Sequence, residues 1–372
     1  MPFLFGKHYS KAELLRHVGH ISQIGGVRLT SEEDGVARGV RHVEFRTGTG
    51  FQFKVALERG MDVGLCEYRG QSLAWIPSTM MPAPWYFEQQ EAFGWLRSAL
   101  GGFNNTCGMV HIGNPEAADV SHYQFPARAK ETYGVHDRVA MLPAQLVRYG
   151  ERWEGDDCIL EAQGRVTQAQ AYGENLVLTR TYTTKLGESR FFMHDEIENA
   201  GWLPTEHMYL YHINIGFPVI AEGSELIAPV MKPPAVPDGL PVGDAREYSR
   251  FIAPQKNWML QGFELALGAE ADGRVPLAIV NRDGFGVYVV YNQRQFPNYL
   301  EWRMMGEGQY AVGIEPCSNT FGREIARNLG QLITLQPDDQ RVYDLEVGVL
   351  DGHAAVEAFR QRVNALLPHT GA

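Results

Sequence analysis

Between residues 51 and 315 nearly every segment reads as a short strand, and strand follows strand across turns instead of helices. Phe51–Leu57, Asn175–Thr183, Phe191–Ile197, His207–Ile215, Gly286–Tyr291 and Gln309–Glu315 all carry this pattern. Parallel neighbours need a crossover of a dozen or more residues, usually helical, so the succession argues against a βαβ architecture. The expectation is a mainly β fold: a large antiparallel β-sandwich with a few peripheral helices.

Three helices are expected at the margins. Ser10 and Glu13 form a capping-box pattern ahead of Leu14, Leu15 and Val18, and Gly19 stops the run. A short helix is expected over Glu88–Leu100, ended by Gly101 and Gly102. Near the end of the chain Asp351 is the expected cap of a segment in which Val356, Phe359, Val363 and Leu366 recur at helical spacing. The proline-rich run Pro229–Pro241 has strands of similar character on both sides, so it reads as a loop within one domain. The domain expectation is an extension over 1–50, a sandwich over 51–349 and a terminal helix over 350–372 packed on the same domain.

At 372 residues, length alone does not separate one large domain from two. A formal net charge of -11 repels phosphate backbones, which argues against a nucleic-acid partner. The start, Met1 to Lys7, has no basic leader before a long apolar stretch, and no run approaches the roughly 18 apolar residues of a membrane span. The four cysteines lie far apart without a CxxC pair, against a zinc knot or a disulfide framework. A cytoplasmic location and no membrane partner are the resulting expectations.

Two strands have the design of a binding surface. In Met208–Gly216, alternate side chains share a face, so Tyr209, Tyr211, Ile213 and Ile215 form a core face. His212 and Asn214 share the other face with Met208 and Leu210. A histidine satisfied by neighbouring backbone is the competing reading. His207 and His212 are five apart and point to opposite faces, which removes a shared metal. In Tyr310–Pro316, Tyr310, Val312 and Ile314 face the core, while Ala311, Gly313 and Glu315 face away. A carboxylate beside two small residues leaves room for a ligand, although a solvated strand-end Glu is the commoner case.

Other segments carry weaker signals. Arg59-Gly60-Met61-Asp62 is either a turn with an internal ion pair or a polar pair aimed at a hydroxyl-rich ligand. Gly134-Val135-His136-Asp137-Arg138 is a loop-like cluster of titratable groups. Gly101–Gly108 matches neither a dinucleotide nor a phosphate-binding loop, and no G-x-S-x-G elbow occurs. Cys317, beside Glu315, reads as an inert buried thiol before it reads as a nucleophile.

Taken in order, Arg59–Asp62, Thr106–Gly108, Gly134–Arg138, Tyr211–Gly216 and Gly313–Pro316 resemble the uncharacterised, domain-of-unknown-function branch of the galactose mutarotase-like (aldose 1-epimerase) superfamily. The resemblance runs from about Phe51 to Val349. One departure is Asp137, where that branch usually has glycine between the histidine and the arginine.

The resemblance implies a β-supersandwich with a sugar cleft on its concave face, a small-molecule sugar partner and no cofactor or metal. It implies Glu315 as the base on the anomeric hydroxyl, His212 as the acid on the ring oxygen and His136 as a substrate-holding group. Arg59 and Arg138 are both candidates for the family's substrate arginine, with Asp62 and Asn214 as further substrate contacts. Ring opening removes one proton while another is delivered, and a carboxylate and an imidazole suit those tasks near neutrality. The expected geometry sets Glu315 and His212 on opposite sides of a sugar-sized space. A glycosidase would need a second facing carboxylate, a polysaccharide lyase would use Tyr and His, and a non-catalytic sugar-binding protein would use the same cleft.

Overall fold

A strand with one apolar face needs a neighbour for its backbone groups and a layer for its side chains. The computed structural model, which describes residues 1–236 and 247–368, meets both needs with three main antiparallel sheets. The end of the expected Pro229–Pro241 loop lies outside the described residues. The widest sheet has eight strands, ordered Ala144–Glu154, Asp157–Ala169, Asn175–Lys185, Arg190–Asn199, Gln340–Asp351, Phe285–Asn292, Arg274–Val280 and Glu225–Ile227. Along Asn175–Lys185 every second side chain is buried without a break, as a period of two requires.

A six-stranded sheet carries the two strands singled out from the sequence. It runs Gln261–Glu264, Asn298–Gly306, Gln309–Cys317, Thr205–Gly216 and Ile333–Leu335, and Asn104–Met109 pairs with Thr205–Gly216 as well. A five-stranded sheet, Gly26–Ser31 to Gln71–Ser72, completes the set. One apolar core joins all three: Phe53 packs on Phe191 at 4.6 Å between ring centres, and Tyr209, Tyr211, Ile213 and Ile215 enter the same cluster. The mainly β, antiparallel expectation holds.

The helices differ more from expectation. Lys11–His17 starts at Ser10 with the full capping box to Glu13. The C-terminal helix, His353–Asn364, sets Val356, Phe359 and Val363 against Ala278, Val280 and Leu350. Gly352, not Asp351, precedes it. Asp351 ends the preceding strand, and its carboxylate accepts from Tyr68 and Arg69. The expected Glu88–Leu100 helix shrinks to Trp95–Ser98, because Gln90, Glu91 and Ala92 all take left-handed backbone angles that break a helical ladder. No helix among the described residues is long and apolar enough to cross a membrane.

Inside the core sits one charged group that ties the sheets together. Arg180 is fully buried, and it grips Asp195 through two bonds of 2.8 and 2.7 Å, Asp62 at 2.8 Å and the Tyr209 hydroxyl at 2.9 Å. Tyr209 and Tyr211 in turn donate to Asp195 at 2.8 and 2.6 Å. Asp62 also accepts from the Thr106 backbone at 2.8 Å. Burial pushes the Asp62 carboxyl up to about 6, against the pull of Arg180 and Thr106. Removing one partner from such a buried network leaves an uncompensated charge. Arg180→Met is therefore expected to cost about 3–5 kcal/mol in denaturant unfolding, while Tyr211→Phe costs about 1 kcal/mol. A near-neutral Arg180→Met would contradict the anchoring role.

Candidate active site

Strand register assembles the site. In the ladders of Thr205–Gly216, Ile213 lies opposite Ile314 on one side, and His212 lies opposite Asn105 on the other. One step along the first ladder sets His212 opposite Glu315, and Glu315 is in turn opposite Leu300. Leu300, Glu315, His212 and Asn105 thus form one row across four strands, on the face turned away from Tyr209 and Tyr211. His212 Nε2 and Glu315 Oε1 are 3.1 Å apart.

The next row explains why they can meet. It holds Trp302, Gly313 and Asn214. A Cβ on Gly313 would lie 2.5 Å from Glu315 Oε1 and 3.0 Å from His212 Cε1. Only glycine leaves that space open.

Above these rows opens a cleft of about 500 Å³. Trp75, Trp95, Trp302 and Phe321 wall it. Ring centres lie 5.6 Å apart for Trp302 and His212, 5.0 Å for Trp95 and His136, and 5.9 Å for His136 and His212. The loop carrying His136 is pinned by its own backbone, which donates to the Gly113 carbonyl and accepts from the Gly108 amide, both at 3.0 Å.

Burial governs the charges here. It pushes His212 down to about 4 and holds His136 well below the usual imidazole range. It pushes Glu315 well above the usual carboxylate range, and the nearby Glu301 adds to the shift. Separated charges are costly in so dry a contact, which favours carboxyl with neutral imidazole over carboxylate with imidazolium. Neither His212 Nδ1 nor Glu315 Oε1 has a hydrogen-bond partner, so the 3.1 Å approach is a contact without hydrogen-bond alignment and both atoms keep bonding capacity for a ligand. Among the described residues no group of three or more His, Cys, Asp or Glu side chains is arranged to hold a metal ion.

The cleft is bordered by His136, His212, Asn214 and Glu315, and not by the other three residues singled out from the sequence. Arg59 is fully buried and donates to the carbonyls of Ala140, Pro82 and Ser98, so it clamps loops. Asp62 pairs with Arg180 and Thr106 in the core, so the Arg59–Asp62 turn has no internal ion pair and turns its polar groups inward, away from the cleft. Arg138 is half-exposed and binds Glu174 and the Ala169 carbonyl at 2.8 Å. The expected opposition of Glu315 and His212 across a sugar-sized space is corrected too. Directly opposed positions on adjacent strands bring the two side chains into contact.

Asp137, the departure from the family's glycine, adopts a φ of 61°, which glycine takes freely and Asp tolerates. Its carboxyl turns to Gln168 at 2.6 Å, and burial pushes it up to about 7. Cys317 is buried, with its thiol pushed well up, as an inert thiol should be.

The sequence reading missed the aromatic walls. Leu300, Trp302 and Met304 alternate along Asn298–Gly306 and border the cleft, a period of two that had marked them as one face. It also missed Glu301. Register sets Glu301 in the row of Phe263 and Ile314, both members of the main apolar core. Neither of its carboxyl oxygens finds a hydrogen-bond partner, and Arg303 Nε stands 3.7 Å away.

Fold and cleft together define an antiparallel β-sandwich protein with a histidine–glutamate contact on the floor of an aromatic-walled pocket. The chain belongs to the DUF4432 family, described as a domain of unknown function, whose model matches residues 37–349. A crystal structure described as a "putative aldose 1-epimerase" from Klebsiella pneumoniae superposes with a TM-score of 0.81 at 20% identity, covering 93% of this chain and 88% of that one. A galactose mutarotase-like protein from Clostridium acetobutylicum gives 0.60 at 12% identity, over 87% of this chain and 99% of the other. Galactose 1-epimerase from Lactobacillus acidophilus gives 0.55 at 12% identity, over 88% and 99%. At these identities the likeness establishes the galactose mutarotase-like fold. A search of curated proteins returns no match.

Burial pushes Glu301 from 4.5 in the open chain up to about 8, with Arg303 pulling the other way. A raised folded value contributes stability that is present below pH 4.5 and is lost as pH rises toward 8. Glu301→Gln removes that dependence. Its denaturant midpoint should change less than wild type's between pH 5 and 8, and equal slopes would refute the assignment.

Proposed function

We propose that this protein is an aldose 1-epimerase-type isomerase that interconverts the anomers of a free sugar. The observation that carries the reading is the His212–Glu315 contact at 3.1 Å on the cleft floor, beside His136. The fold is that of proteins described as a "putative aldose 1-epimerase", a galactose mutarotase-like protein and a galactose 1-epimerase.

The chemistry suits the pair's proton inventory. The anomeric hydroxyl and the ring oxygen are bonded to the same carbon, so two groups in contact on one side can reach both. Passing the proton from Glu315 to His212 across their contact yields a carboxylate base and an imidazolium acid. Glu315 then takes the proton of the anomeric hydroxyl while His212 protonates the ring oxygen, and the ring opens as the bond between that oxygen and C1 breaks. The pair is neutral again in the open-chain state. Rotation about the first carbon–carbon bond and the reverse transfers close the other anomer. His136 and the Asn214 side-chain oxygen hold hydroxyls, and aromatic faces cover the sugar's C–H surface.

The rival chemistries find less support. Glu301 borders the same cleft, but register sets it in the row of Phe263 and Ile314, on the other side of its strand from Leu300 and Trp302. It is therefore not set opposite Glu315 across the sugar space as a glycosidase's second carboxylate would be. The Tyr209 and Tyr211 hydroxyls are bound to Asp195, so neither serves a lyase beside His212.

Glu315→Gln keeps the side chain's shape but removes the base. Anomer exchange, followed by magnetisation transfer, should slow by about 10²-fold or more, with sugar affinity changed much less. His212→Asn should do the same. The wild-type rate should fall as pH drops through about 4, where His212 gains a second proton. A wild type that binds sugars yet exchanges none faster than buffer would sink the enzyme reading and leave a binding protein.

A further inference from the structure

Resting on the reading of this cleft as a sugar site, its walls constrain the end of the sugar remote from C1. The chain has 33 lysines and arginines, yet among the described residues none borders the cleft. A phosphate or sulfonate there would be stripped of water with no cation to meet it.

Away from the His212 row the polar lining is uncharged apart from Glu301: Ser78, Thr79, Asn114, Asn214 and Gln309. The Asn214 amide already donates to the carbonyls of Gly101 and His212, both at 3.0 Å. Thr79 is spent on the Ala99 carbonyl at 2.8 Å. A hydroxyl buried against Leu260 or Met304 would lose its water bonds without replacement.

At the mouth, the apolar surface continues outward. Phe93 and Leu96 both border the cleft and remain 46% and 57% exposed. A single exposed aromatic needs no explanation, but an apolar rim continuous with a ligand cleft marks a surface that a ligand covers.

We propose that the substrate is an uncharged reducing sugar whose end remote from the anomeric carbon carries an apolar group, such as a deoxy position or a short hydrocarbon substituent. The free anomeric hydroxyl sits on Glu315 and His212, and the apolar group lies toward Phe93 and Leu96. A sugar phosphate or sulfonate is excluded by the same walls.

The test compares four ligands by calorimetry and magnetisation transfer: D-galactose, its 6-deoxy and 6-O-benzyl derivatives, and its 6-phosphate, with the D-glucose series alongside. Each buried methyl-sized group should tighten binding by about fourfold, so 6-O-benzyl binds at least about tenfold tighter than the parent. The 6-phosphate should bind at least about tenfold more weakly than the parent. The double variant Phe93→Ser with Leu96→Ser should shrink the ratio between benzyl and parent affinities. A 6-phosphate that binds and exchanges as well as the parent overturns this inference and leaves the epimerase reading standing. Tight binding of the apolar sugars without faster exchange supports the inference and overturns the epimerase reading. Absence of binding throughout both series overturns both.

Discussion

The buried Arg180 guanidinium is the interaction on which the rest of the structure hangs. Its partners come from all three main sheets: Asp62 from the five-stranded sheet, Asp195 from the eight-stranded sheet and Tyr209 from the six-stranded one. An ion in so dry a place is tolerated only when its donors are met, and a bidentate carboxylate with two further acceptors meets them. The arrangement fixes more than stability. Because Tyr209 and Tyr211 are bound through their hydroxyls, their strand has one permitted face toward the core. His212 is therefore turned to the other side. A one-residue slip would bring His212 inward and break both tyrosine bonds.

With the face fixed, register does the remaining placement. The ladder between Thr205–Gly216 and Gln309–Cys317 sets imidazole opposite carboxyl, and the missing side chain at Gly313 lets them touch. Aromatic walls then keep the contact dry. Dryness acts on each group, raising the carboxyl and lowering the imidazole, so that both favour their neutral forms. In open solvent the same residues would titrate separately, at about 4.3 and about 6.5, leaving at pH 7 an ionised carboxylate beside a mostly neutral imidazole.

Much of this was legible in the sequence, within limits set by what a linear pattern encodes. Period-two alternation in Met208–Gly216 separates His212 and Asn214 from the tyrosines, and the same parity sets Glu315 beside Gly313. The antiparallel class follows from strands without crossovers. Register does not follow, since which residue of one strand opposes which of another depends on loops and packing over a hundred residues. So the contact of Glu315 with His212 was anticipated as a separation. Arg59, Asp62 and Arg138 misled for a related reason: polar residues in turns satisfy buried carbonyls and partner charges as readily as ligands. One signal went unread. Arg180 shares parity with Leu176, Leu178 and Tyr182, and a charge in a core-facing series implies a buried partner.

The central claim, that Glu315 and His212 rest in buried contact as carboxyl and neutral imidazole, is open to direct observation. Nuclear magnetic resonance of the ligand-free protein, with ¹⁵N in the histidine rings and ¹³C in the glutamate carboxyls, reads both protonation states across pH. The account predicts that His212 stays neutral from pH 7 down to about 4 and that Glu315 keeps its proton well above the usual carboxylate range. An imidazole gaining its proton near 6.5 beside a carboxyl titrating near its ordinary value would mean two independent, solvated groups, and would contradict it.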